Sequence, residues 1–85
     1  MPEISRFYGI VITMNIDDHP PPHFHARCGK QEILVEIATA GVIGAFPAGK
    51  LKLVRKWWAL HREALMLNWQ LREQGFQPRY IEPLE

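Results

Sequence analysis

One cysteine, Cys28, is all that this 85-residue chain carries, and a single thiol cannot close an internal disulfide. The core must therefore hold without a covalent staple, as it does in a reducing compartment. No apolar run approaches the roughly 20 residues needed to span a bilayer. The opening Met1-Pro2-Glu3-Ile4-Ser5-Arg6 also lacks the charged-then-apolar pattern of an export signal. A cytoplasmic protein with no membrane partner is the expectation. A surplus of one charge sign is missing too: the formal net charge of +1 gives no general pull toward nucleic acid, so phosphate affinity would need a local cluster. Repeats, low-complexity tracts and linkers are absent, and the length leaves room for one domain, 1–85, with one modest core. Apolar residues at 47% and charged residues at 22% are those of a chain that folds.

What is present divides into a β-like half and a helical half. Phe7 to Met14 is rich in β-branched and aromatic residues and reads as one strand, 7–14, with Tyr8, Ile10, Ile12 and Met14 on one side. Asn15 to Pro22 then carries two aspartates and three prolines. The prolines set φ and remove backbone donors, so this is a stiff, extended connection. Strands are expected at 23–28 and 31–37 around a Gly29-Lys30 hairpin turn, and a short fourth at 42–46, stopped by Pro47. From 48 to 74 the pattern is that of one long helix ended by Gly75. The expected fold is α+β: a small three- to four-stranded antiparallel sheet, one long C-terminal helix packed on one face, and an extended tail, 75–85.

The helix is apolar over an arc of roughly 200°, about twice that of a helix lying on one small sheet. Either its tryptophan-bearing edge meets another chain, a homodimer included, or the tail folds back through Tyr80, Ile81 and Leu84 to cover it.

Three of the four histidines fall within seven positions, His19-x-x-x-His23-x-His25, beside Asp17 and Asp18. Alternate residues of a strand share a side about 7 Å apart. His23 and His25 can thus serve one ligand. With His19 and Asp18 or Asp17 as further donors they make a candidate site for zinc or another divalent metal. Without metal, the same imidazoles suit general acid and base catalysis of RNA cleavage, a metal-independent ribonuclease chemistry needing no cofactor. The plain structural reading is that the turn only sets the strand angle, with an aspartate bonding loop donors.

Alternation places His23, His25 and Arg27 opposite Phe24, Ala26 and Cys28. The second set looks like core, Cys28 included, so His23 and His25 should face away from the helix and from His61, which lies mid-arc with Asn68. Lys50, Lys52, Arg55 and Lys56 crowd the start of the helix, where cations oppose the helix dipole. They call for a phosphate ligand, nearby carboxylates or plain solvation.

Across nearly its whole length the chain resembles the small bacterial proteins grouped as domain of unknown function 4160. The likeness runs through Met1 to Phe7, Gly9 to Ile12, Asp18-His19, Pro21 to Ala26, Gly29, Leu60 to Glu63, Asn68-Trp69 and Ile81 to Glu85. The resemblance implies a gene set beside another small gene, in the manner of a toxin and antitoxin pair, hence a toxin-like protein with a cognate small antitoxin-like partner. A looser likeness links His23 to Arg27 and the helix opening Gly49-Lys50-Leu51-Lys52-Leu53-Val54 to small single-histidine ribonuclease toxins. The N-terminal helix of those toxins is missing here. On the toxin reading His23 and His25 are acid and base, and Arg27, Lys30, Lys50, Lys52 and Arg55 bind the RNA. A non-enzymatic module binding protein through the tryptophan-rich helix, and a metal-binding protein using Asp18, His19, His23 and His25, are the alternatives.

Overall fold

A computed structural model describes residues 2–85. Five strands, β1 (Glu3–Phe7), β2 (Ile10–Thr13), β3 (His23–Cys28), β4 (Gln31–Glu36) and β5 (Val42–Ile43), are followed by helices α1 (Ala48–Leu60) and α2 (Arg62–Glu73). The strands form one antiparallel meander in sequence order. The α+β class is as expected, but the sheet has five strands where three or four were expected, and two helices stand where one was.

The extra strand, β1, is built mostly from Glu3 to Arg6, ahead of the expected strand 7–14. A turn inside that expected strand separates its first residue, Phe7, from β2. Tyr8 and Gly9 both take left-handed backbone, with φ of 51° and 78°, and Phe7 pairs with Ile10 across them. Two consecutive positive φ values make the tight hairpin turn whose twist suits flanking strands. Glycine takes that conformation freely, whereas tyrosine does so at a cost, and this is why an aromatic run concealed the turn. At the other edge, β5 stops after two residues. Gly44 has φ 111°, and a Cβ there would lie 2.9 Å from the Glu32 carbonyl oxygen, so the chain leaves the sheet at a point only glycine fits.

Directly paired residues share a face. Phe7 with Ile10, Ile12 with Ala26, Phe24 with Val35 and Ala26 with Ile33 define the core face. All of these residues are buried. Helix α1 lies on that face, with Trp57 5.5 Å from Phe7 and 5.7 Å from Phe24 between ring centres. Cys28, expected in the core, sits at the strand end and is only half-buried.

The expected helix over 48–74 would run about 40 Å if straight, longer than the molecule's greatest extent of 34 Å. It breaks instead at His61, whose φ of −125° and ψ of 25° leave the helical region. The turn keeps Leu65 in the core and brings Trp69 round the end of the sheet. Helix α2 closes as expected at Gly75, with Phe76 N–H donating to Leu71 and Gly75 N–H to Arg72, the Schellman pattern.

The tail then doubles back. The Asn68 side chain both donates to and accepts from the Arg79 backbone, at 2.8 and 2.9 Å. Ile81 N–H donates to the Ile4 carbonyl at 2.7 Å, and the Trp57 indole donates to the Glu82 carbonyl at 2.9 Å. With Ile81 buried, the tail covers much of the apolar arc that sequence left open between tail and partner. No helix among the described residues is long and apolar enough to cross a membrane.

Candidate metal centre

The second face of the sheet carries Thr13, His23, His25, Arg27, Leu34 and Glu36, as alternation and register require. At its lower end the proline loop 15–22 folds over β3. The Asn15 N–H donates to Asp18 Oδ2 at 3.1 Å, a bond from the backbone three residues earlier that helps hold the Asp18 carboxylate in place. His23 and His25, two residues apart, meet it there. His25 Nε2 lies 3.1 Å and His23 Nε2 3.5 Å from the same Asp18 Oδ2, and one ligand atom from each of the three residues falls within 4.8 Å of the others. His23 is buried, and the His25 and Asp18 side chains are 18% and 13% exposed, so the cluster is recessed but open to the cleft beside it.

The outer nitrogens decide the character of the site. His23 Nδ1 lies 2.8 Å from the Pro21 carbonyl oxygen. A carbonyl only accepts, so Nδ1 carries the hydrogen, and in the neutral ring the Nε2 lone pair faces the carboxylate. His25 Nε2 is in hydrogen-bond reach of Asp18 Oδ2, so a neutral His25 ring with no ion present donates there from Nε2. Its Nδ1 faces Glu32 Oε2 at 3.7 Å, beyond hydrogen-bond reach. The His23 Nε2 lone pair and the Asp18 carboxylate then converge on a point that the His25 Nε2 proton shares, and a metal cation that displaced this proton would meet three donors. Donor atoms on a cation with bonds of about 2.1 Å lie about 3.0 to 3.4 Å apart in octahedral or tetrahedral geometry, close to the 3.1 and 3.5 Å found.

Beside this cluster lies a cleft of about 750 Å³ lined by Asp17, His19, Pro20, Leu34, Glu36 and Ile43 among others. Three carboxylates and no lysine or arginine line it. His19 is exposed on its wall and outside the three-donor cluster. Arg27 shares the face but is exposed, directly across from Glu32. Lys30 sits in the β3–β4 turn, about 20 Å along the strand from His23 at 3.3 Å per residue. Lys50 donates to the Tyr8 carbonyl at that same far end, and Lys52 and Arg55 are exposed on α1, over the opposite face. The structure therefore gathers Asp18, His23 and His25 and leaves four of the five basic residues elsewhere. His61 stays on the core side, 5.4 Å from Trp57.

Sequence reasoning missed a second layer. Trp69 packs 5.3 Å from His23, and the Arg72 guanidinium stacks 3.5 Å over Trp69. Arg72 donates at 2.7 Å to the carbonyls of both Ile16 and Asp18. Trp69 and Arg72 both lie on α2, which the break at His61 turns toward this end of the sheet. Expecting His23 to face away from all of the helix needs correction: it faces away from α1 and touches α2.

Fold and site together define a small α+β protein with a two-histidine, one-carboxylate cluster at one end of a meander sheet. The chain belongs to the family described as Domain of unknown function (DUF4160), whose model matches residues 9–70, a span that holds all three donors. No curated protein and no solved structure matches it significantly.

Proposed function

We propose that this is a metal-binding protein that holds one divalent transition-metal cation, zinc foremost, on Asp18, His23 and His25, and receives a small ligand in the adjoining cleft. The observation that carries this is the convergence of two imidazole Nε2 atoms on one Asp18 oxygen while the Pro21 carbonyl engages the outer nitrogen of His23. Metal-bound histidines are typically oriented by just such an outer hydrogen bond. Imidazole with carboxylate suits zinc, iron, manganese or nickel. Such a cation, when bound, supplies Lewis acidity toward an oxygen or water beside it. The chain's own residues hold the donors, wall the cleft with Leu34, Val42 and Ile43, and surround it with carboxylates that favour cations.

The test is metal analysis of protein purified without a histidine tag and dialysed against buffered zinc, manganese and iron(II). One ion per chain is expected in the wild type, and none in Asp18→Ala or in His23→Ala/His25→Ala. A wild type that retains no ion at stoichiometry refutes the proposal.

A second reading, favoured by imidazole rings only 5.2 Å apart, is a metal-independent acid and base pair cleaving RNA in the bacterial cytoplasm, as the toxin-like member of a pair with a cognate small protein. Growth arrest by the wild type, lost in His23→Ala and His25→Ala, tests it; equal growth of all three sinks it. A protein-binding role for the helix, as homodimer or module, would use Leu60 and Leu67, both more than half exposed, because Trp57 and Trp69 are buried in the core.

A further inference from the structure

Arg72 is 7% exposed, it has no carboxylate partner among the ion pairs of the described residues, and its Nε finds no acceptor. Burying a guanidinium without a counter-ion is costly. Its remaining hydrogen bonds go to two main-chain carbonyls, those of Ile16 and Asp18, at 2.7 Å each. These flank Asp17, so the fork of the guanidinium fixes the backbone on both sides of one peptide pair and with it the position of Asp18. The planar face of the same group stacks 3.5 Å over Trp69, and Trp69 packs on His23. One side chain thus bears directly on the loop carrying the carboxylate and, through one ring, on an imidazole.

We infer that Arg72 is a positioning residue for the cation site, setting its affinity and geometry from α2 without touching the ion. The inference rests on the metal-binding reading above. Two facts separate it from a general clamp on a loop. A loop clamp needs no contact with the histidines, yet the Arg72 stack ends on His23. A clamp is also served by any donor, whereas two carbonyls held at once, with a ring beneath, match the planar fork of arginine and not the point charge of lysine. Outer residues that orient metal ligands alter affinity by about 10- to 100-fold when removed.

The experiment is cobalt(II) titration, followed by absorption spectroscopy, of the full chain as wild type, Arg72→Lys, Arg72→Gln and Trp69→Phe, with circular dichroism of each apoprotein. Expected are a saturable spectrum in the wild type, affinity about 10-fold or more weaker in Arg72→Gln with a shifted spectrum, and partial recovery in Arg72→Lys. Trp69→Phe, which keeps only part of the aromatic surface between Arg72 and His23, should weaken binding, by less than Arg72→Gln does. A wild type without saturable cobalt binding fails the metal-binding reading itself. A wild type that binds, beside Arg72→Gln and Arg72→Lys that bind with the same affinity and spectrum, overturns the inference alone. Should Arg72→Gln not fold, Arg72→Lys decides, since a folded Lys variant with unchanged affinity and spectrum is equally fatal.

Discussion

Asn68 offers the sharpest test of how the tail is held. It is 2% exposed and makes two hydrogen bonds with the Arg79 backbone, one in each direction. Replacing it by alanine removes both. At a net worth of about 1 kcal/mol each, the loss is about 2 kcal/mol if the tail otherwise stays. If the tail detaches, Ile81 leaves the core and a further 1.5 to 3 kcal/mol, approximately, goes with it. Against a total stability of roughly 4 to 13 kcal/mol for a chain of this length, that is a large fraction, and at about 4 to 8 °C per kcal/mol the melting temperature should fall by roughly 8 to 16 °C in the milder case. Calorimetry measures the shift. Hydrogen exchange at the Ile81 amide, bonded to Ile4, reports whether the tail has let go. Asn68→Asp keeps an acceptor for the Arg79 N–H but sets a buried carboxylate oxygen against the Arg79 carbonyl, so at pH 7 it should cost at least as much as the alanine variant. A melting temperature within 2 °C or so of the wild type, with Ile81 exchange unchanged, would refute the clasp.

Other positions carry predictions of either sign. Ser5 is buried with its hydroxyl unpartnered, so Ser5→Ala should stabilise by about 1 kcal/mol in denaturant unfolding, the desolvation penalty removed. Tyr8→Asn places a residue tolerant of left-handed backbone at φ 51° and should add roughly 0.5 to 1 kcal/mol, read the same way. Gly44→Ala forces a Cβ to within 2.9 Å of a carbonyl oxygen at φ 111° and should cost about 2 kcal/mol or more, with β5 losing amide protection first.

Where a local rule and the packing agreed, sequence was enough. The Gly29-Lys30 turn, the Gly75 cap and the face shared by His23 and His25 all follow from residue type and alternation, and all stand in the structure. What hid was set at longer range. The turn at Tyr8-Gly9 lay inside a run rich in β-branched and aromatic residues, and the pairing of Phe7 with Ile10 holds tyrosine in an unfavourable backbone. The break at His61 has neither proline nor glycine to mark it; it arises because a straight helix would outrun the sheet. Arg72 was illegible for the same reason. Its acceptors lie more than fifty residues away, and a helical arginine ordinarily faces water.

The distribution of charge weighs on the choice between the two functional readings. A chain of net charge +1 has set Asp17, Asp18 and Glu36 around the cleft, and has put Lys52, Arg55 and Lys56 on the exposed surface of a helix over the other face. An RNA strand drawn to those cations would lie across the thickness of the sheet from His23 and His25, and to reach them it would have to bring phosphates past carboxylates. A divalent cation meets no such opposition, because the same carboxylates that repel a phosphodiester attract it, and the interaction strengthens in a corner where His23 is nearly dry. The RNA reading therefore gains physical footing chiefly if a cation first occupies the cluster and reverses the local field. Cleavage that survives exhaustive chelation would count against that order of events, and cleavage restored by a stoichiometric ion would join the two readings into one.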